Sequence, residues 1–199
     1  GGGDLNWVLT QHGNLPVSSH AGRTGRRIQT SLLDLEKPII AKVRGPAIGL
    51  GCSIALYCDF VYATPEATFA DPHASVGLVA GDGGTLIWPQ LVGYARARRY
   101  LLTGDSIKGA EAADIGLITE AVPDDRLDEV VNQMAARLLS GAKYAIKWTK
   151  TSINAGLKQT ANAVMDRAAA FENLTQMTDD NRIAIEAFLA KEKPKFTGS

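Results

Sequence analysis

The 199-residue chain lacks most features that would mark a specialised environment. It has no charge surplus, because 21 Lys and Arg balance 21 Asp and Glu. A dedicated DNA-binding domain or a polybasic membrane anchor needs an excess of positive charge, so neither fits. Room for a local basic pocket remains. Cysteine is scarce, with only Cys52 and Cys58. The intervening Ser-Ile-Ala-Leu-Tyr reads as helix, which points the two thiols to different sides, so free cysteines are expected. No Cys/His grouping has zinc spacing. No apolar run approaches the ~18 residues of a membrane span. The first residue is not Met, and Gly1-Gly2-Gly3-Asp4-Leu5 reads like the middle of a motif. An upstream segment is therefore expected.

What is present is globular in balance. Apolar residues make up 45% and charged residues 21%, enough for a core and too apolar for disorder. Residues 5–30 are broken by Gly13, Pro16, Gly22 and Gly25, which predicts a long loop carrying Arg23, Arg26 and Arg27. A short helix is expected over 28–35, then a buried strand over 38–43. A Gly/Pro turn (45–51), an apolar helix (50–58) and strands at 60–63 and 67–70 follow. Strand, Gly turn, helix and strand in that order predict an α/β crossover. From residue 83 the pattern turns helical, with helices expected at 84–91, 95–102, 109–114, 127–139, 144–154, 160–177 and 180–191. A short strand is expected at 117–122. Trp88 and Trp148 lie on apolar helix faces and read as core.

The segment Val43-Arg44-Gly45-Pro46-Ala47-Ile48-Gly49-Leu50-Gly51-Cys52 places a glycine-rich turn between a strand and a helix. Free amides at such a turn attract negative charge. A dinucleotide fingerprint would use Gly49 and Gly51 and then require a small residue where Ile54 stands, which fails the close helix–strand packing. The competing reading is an oxyanion hole, in which the Leu50 N–H binds a carbonyl oxygen that becomes negative during reaction.

The segment resembles the crotonase, or enoyl-CoA hydratase/isomerase, superfamily, and the resemblance runs nearly the whole chain. It is carried by Gly1-Gly2-Gly3-Asp4-Leu5, the strand and Gly turn, and Cys58-Asp59-Phe60-Val61-Tyr62-Ala63. Ala67-Thr68-Phe69-Ala70, Val76-Gly77-Leu78, Gly81-Asp82-Gly83-Gly84-Thr85 and Leu91-Val92-Gly93 continue it in order. Leu102-Thr103-Gly104, Ala112-Ala113-Asp114-Ile115-Gly116-Leu117-Ile118, Val122-Pro123, Ala187-Phe188-Leu189 and Lys193-Pro194-Lys195-Phe196 complete it.

The resemblance implies an α/β fold, a crotonase-like spiral of ββα units with a helical C-terminal region. It implies an α/β spiral core at 1–122, N-terminally incomplete, and a helical oligomerisation or capping region at 123–199. It implies an acyl-CoA substrate whose thioester carbonyl sits between the backbone N–H groups of Gly1 and Leu50. Gly2, Gly3, Asp4, Leu5, Gly49, Ser53, Lys195 and Phe196 are then expected to contact substrate. No metal and no separate cofactor are expected, since coenzyme A is part of the substrate. A cytoplasmic homotrimer or dimer of trimers is expected, with no nucleic-acid or membrane partner.

By the same resemblance, two glutamates of the family's hydratases fall at Ser53 and His73. Both carboxylates are replaced. Hydration needs a base to activate water and an acid to protonate carbon. His73 titrates near neutrality when unperturbed, and Asp82 sits among glycines, so these two are the expected proton-transfer residues. Asp71 is placed to orient His73. The alternatives are another reaction on the same thioester, such as hydrolysis or decarboxylation, or acyl-CoA binding without turnover.

Overall fold

The computed structural model describes residues 4–10 and 12–199. Two strand–strand–helix units make the α/β part. The first is β1 (Ile40–Val43), β2 (Pro46–Ile48) and α3 (Leu50–Leu56). The second is β3 (Phe60–Ala63), β4 (Thr68–Ala70), a 3₁₀ turn at His73–Val76, and α4 (Gly84–Thr103). Each unit gives its first strand to one sheet and its second to another. β1 pairs parallel with β3, Ile40 opposite Phe60, and β2 pairs parallel with β4, Pro46 opposite Thr68. β5 (Ser106–Lys108) adds antiparallel to β4, α5 spans Gly109–Asp114, and β6 (Glu120–Ala121) adds parallel to β3. This alternation is the spiral of ββα units expected from the sequence. The β2 strand lies inside the stretch expected to be only a turn, and β5 had no expectation at all. Three-residue strands are too short for a period to register.

The core lies between the sheets and α3, α4 and α5. Trp88, Phe69, Ile107 and Leu117 are almost wholly buried there. The helices expected at 84–91 and 95–102 are one helical stretch broken at Gly93, whose φ of 77° and ψ of 163° leave the helical region. Both cysteines are free, Cys52 buried and Cys58 half-buried.

Residues 5–30 correct the sequence expectation. They are not a long loop: α1 spans Leu5–Thr10 and α2 spans Leu15–Asp34. Asn14 caps α2 by accepting from the Val17 amide at 3.3 Å, and Pro16 occupies the first turn, where it removes no helical bond. Gly13 does break the chain, in the turn between α1 and α2 with φ 74°, but Gly22 has a packing role inside α2. A Cβ on Gly22 would lie 3.5 Å from Asn173 and 4.0 Å from Ala169, so α2 lies close along α7 (Lys143–Thr175). Arg26, expected in a basic loop, pairs with Asp166 of α7.

α6 (Asp124–Ser140), α7 and α8 (Asp179–Ala190) form the helical part. The two helices expected at 144–154 and 160–177 are one 33-residue helix running through Gly156. Thr178 caps α8, its hydroxyl accepting from the Asn181 amide. Trp148 is also corrected, at 61% exposed rather than core. Among the described residues, no helix is long and apolar enough to cross a membrane.

Candidate active site

Four chain segments meet at one buried cluster. β4 ends at Asp71, which has no exposed surface, and the 3₁₀ turn that follows brings His73 back beside it. Asp71 Oδ1 hydrogen-bonds His73 Nδ1, which leaves Nε2 facing outward. His73 Nε2 lies 3.5 Å from Asp82 Oδ2 and 3.9 Å from Glu172 Oε1. Ser53 of α3, fully buried, donates its hydroxyl to Asp82 Oδ1 at 3.3 Å.

Local sequence explains why these groups hold their places. The loop before α4 is fixed by the Gln29 side chain, which donates to the Asp82 carbonyl, and the Gly84 amide donates to the Asp82 carboxylate. Gly84 must lack a side chain, because a Cβ there would collide with Asp71 Oδ2. The 3₁₀ turn is buttressed from α8. Asn181 donates its side-chain N–H to the Val76 carbonyl at 2.7 Å, and Gly77 (φ 67°) packs directly on the Asn181 backbone.

A cavity of about 910 Å³ opens over this cluster. Leu50, Gly49, His73 and Asp82 form part of one wall. Val17, Ile28, Glu172 and Phe188 of α2, α7 and α8, with Gln176 just past α7, form part of the other. Gly49 has φ 54°, which favours glycine, and its amide donates to the Ala70 carbonyl at 2.9 Å. That bond ties the glycine turn to the end of β4. The imidazole stands across from it: a Cβ on Gly49 would lie 3.7 Å from His73 Cε1. Ser53 is the first amide of α3 to bond back within the helix, to Gly49 O at 3.0 Å, so the Leu50 amide precedes the helical ladder.

The electrostatics follow from burial and crowding. Burial alone would push the His73 imidazolium toward its neutral form, but Asp82, Asp71 and Glu172 outweigh it and raise its pKa to about 10. Burial raises Asp82, against the attraction of His73. Burial also lifts Glu172 to about 7, again against His73. Donor atoms of Asp71, His73 and Asp82 lie within 4.8 Å of one another, a spacing that could accept a metal ion. Asp71 Oδ1 is already committed to His73 Nδ1, and we assign no metal there.

The structure places Gly49, Leu50, His73, Asp82 and Asp4 on the cavity wall. Ser53, expected to contact substrate, is fully buried behind them against Asp82 and is not among the lining residues. Leu5 begins α1. Gly1, Gly2 and Gly3 lie outside the described residues. Lys195 and Phe196 are exposed in the C-terminal segment and are not among the cavity-lining residues. Glu172 had no expectation attached to it. It is a lone glutamate in a long helix, and nothing near it in sequence marks it.

Residues 2–199 match the model of the family described as enoyl-CoA hydratase/isomerase. A crotonyl-CoA hydratase of Syntrophomonas wolfei is 35% identical over 175 residues, 88% of this chain and 67% of that protein. A short-chain-enoyl-CoA hydratase of Clostridium acetobutylicum is 36% identical over 176 residues, 86% of this chain and 66% of that protein. The chain thus spans about two thirds of the length of these curated relatives. A crystal structure of an enoyl-CoA hydratase/isomerase from Mycobacterium paratuberculosis superposes with a TM-score of 0.86 at 33% identity, covering 93% of this chain and 74% of that one.

Proposed function

This chain belongs to the enoyl-CoA hydratase/isomerase family, and on that premise we propose that it works on an enoyl-CoA thioester, adding water across the conjugated double bond. The names of its relatives, crotonyl-CoA hydratase and short-chain-enoyl-CoA hydratase, support a short enoyl chain as the first substrate to try. One observation carries the reading. The glycine turn that presents the Leu50 amide is bonded to the strand end that presents His73, and both face the same cavity.

In this reading the Leu50 N–H, with that of Gly1, holds the thioester oxygen as it becomes an enolate. Such a preorganised donor is worth roughly 3 kcal/mol in the transition state. His73, charged at neutral pH, supplies a proton to the α-carbon. Asp71 fixes the ring so that Nε2 faces the substrate, and Asp82 supports its charge. Ser53 holds Asp82 rather than attacking anything, since no base stands ready for its hydroxyl other than that carboxylate.

Several coarser expectations belong with this proposal. Coenzyme A enters as part of the substrate, so no other cofactor is called for. Residues 123–199 cap and assemble the spiral core of 1–122. The exposed apolar side chains Leu102, Leu139, Tyr144, Trp148 and Ile153 support association with other chains, and the family resemblance implies a trimer or pair of trimers in the cytoplasm. A second reading rests on the departure that the family resemblance implies, with Ser53 and His73 at the positions of two hydratase glutamates. It keeps the thioester site and changes the outcome to hydrolysis, decarboxylation or binding without turnover.

The test is incubation with crotonyl-CoA and longer enoyl-CoAs, following loss of the conjugated thioester absorbance and weighing the products. A gain of one water with the thioester intact is the expected result. Free coenzyme A, loss of carbon dioxide, or binding without product selects the second reading.

A further inference from the structure

We propose that Glu172 is the catalytic base of the reaction, taking the proton from the attacking water while His73 protonates the substrate carbon. This rests on the hydratase reading above and adds to it the missing half of the acid–base pair.

The geometry carries the assignment. Glu172 comes from α7, far in sequence from the glycine turn, and lines the same cavity as Leu50. Its carboxylate lies 3.9 Å from His73 Nε2, with 22% of the side chain exposed. A substrate carbon chain passing between Leu50 and α7 therefore meets an imidazole and a carboxylate together. Room for Glu172 is made by Gly81. A Cβ at that position would stand 2.5 Å from Glu172 Oε2 and 2.8 Å from Glu172 Cβ. A half-buried carboxylate in a largely apolar cavity costs stability, and such a cost is characteristic of functional sites. The charged groups facing it are His73 from the 3₁₀ turn, Asp82 from the loop before α4, and Asp71 from the end of β4. His20 of α2 lines the same cavity.

The division of labour follows from those neighbours. His73 is gripped by Asp71 and Asp82 and holds its proton well above neutrality, so it is an acid and a poor base. Glu172 has only His73 as a favourable charge nearby, and its value of about 7 suits a base that must reload each cycle. The steps balance. A water O–H bond breaks and its proton goes to Glu172. The oxygen lone pair bonds to the β-carbon, and the π electrons move through the α-carbon to the thioester oxygen. That electron pair returns to bond the α-carbon to the proton leaving His73 Nε2. The proton on Glu172 then passes to His73, which restores both groups. The net change is one water added across the double bond.

The experiment compares the full chain with its Glu172→Gln and Glu172→Asp variants on crotonyl-CoA across pH. For Glu172→Gln, kcat should fall by roughly 100-fold or more, the usual worth of a general base, with KM within a few-fold. The rise of kcat/KM through neutral pH should disappear. Glu172→Asp should recover part of kcat and shift that rise. Unchanged kcat and an unchanged pH profile in Glu172→Gln overturn the assignment. If Glu172→Gln melts below the assay temperature, Glu172→Asp decides: a lowered kcat with a shifted rise supports it, and a wild-type profile overturns it. Wild-type turnover with an unaffected variant removes Glu172 alone. No wild-type turnover on any enoyl-CoA removes the hydratase reading and this one with it.

Discussion

The two walls of the cavity are built by different means. The wall at the strand ends is tight. Asp71, Ser53 and Cys52 have no exposed surface, and Gly49, Gly84 and Gly77 sit where a side chain would be strained or would collide. Side-chain hydrogen bonds fix directions there: Asp71 to His73, Ser53 to Asp82, and Gln29 to the Asp82 carbonyl. The wall made by α1, α2, α7 and α8 is looser. Trp7, Leu15 and Val17 are half-exposed, and its lining mixes apolar side chains with polar ones such as Asn173 and His20, with Glu172 reaching the cluster. The difference separates two tasks. Direction is set where backbone turns and buried hydrogen bonds overdetermine it, and volume is set where helices lie side by side.

That contrast can be broken from the tight side with the largest effect. His73→Gln keeps a polar group beside Asp71 but removes the acid. The expected loss in kcat on crotonyl-CoA is ~10²–10⁴-fold, read by steady-state kinetics alongside a melting curve. A loss below tenfold would mean that the strand-end wall does not carry the proton.

Positions on α7 away from the cavity should show the reverse signature. Lys150 is buried, donating to the Lys37 carbonyl at 2.8 Å and to Asp59 Oδ2 at 2.7 Å. Lys150→Met removes the donor to the Lys37 carbonyl and leaves Asp59 Oδ2 with the Ile39 amide but no countercharge from Lys150. Because Asp59 keeps some solvent access, we expect a loss of roughly 2–3 kcal/mol in urea unfolding, with kcat within about twofold.

The pH dependence of stability separates the walls further. Glu172 has its folded value raised to about 7, so its contribution is full below the ordinary carboxylate range and is lost as pH rises through 7. His73 is raised to about 10, so its contribution is full below the ordinary histidine value and is lost as pH rises through 10. Both act in the same direction, and stability should decline from mild acid to alkali. Urea midpoints near pH 5, 8 and 10 should show this. Glu172→Gln should flatten the lower part of the decline and His73→Gln the upper part.

The smallest effect has the opposite sign. Gly156 lies exposed within α7, and a Cβ there meets nothing within 4 Å. Gly156→Ala should raise stability by about 0.5–1 kcal/mol, because alanine loses less backbone freedom in a helix. A drop in melting temperature would mean that the long helix gains from flexibility at that point.

Much of the tight wall was legible in the sequence, because it is local. The strand at 60–63 reads directly from Phe60-Val61-Tyr62-Ala63, and the glycine turn announces itself by spacing. His73 and Asp82 were found beside motifs only a few residues away. The helical wall was not legible, because it depends on contacts between distant segments. Gly22 looks like a breaker until α7 lies beside it, and Pro16 until it falls in the first turn of α2. Glu172 looks like a surface helix residue until the fold brings it 3.9 Å from His73. Gly81, whose missing side chain makes its space, gave no sign of that role from its own neighbours.

The most direct measurement is turnover of crotonyl-CoA in oxygen-18 water, with the products weighed and fragmented. If the Leu50 amide, His73 and Glu172 hydrate a bound enoyl thioester, the label appears as a hydroxyl on the β-carbon of an intact coenzyme A thioester. Label in a free carboxylate with release of coenzyme A, or no label in any product while crotonyl-CoA binds, would contradict it.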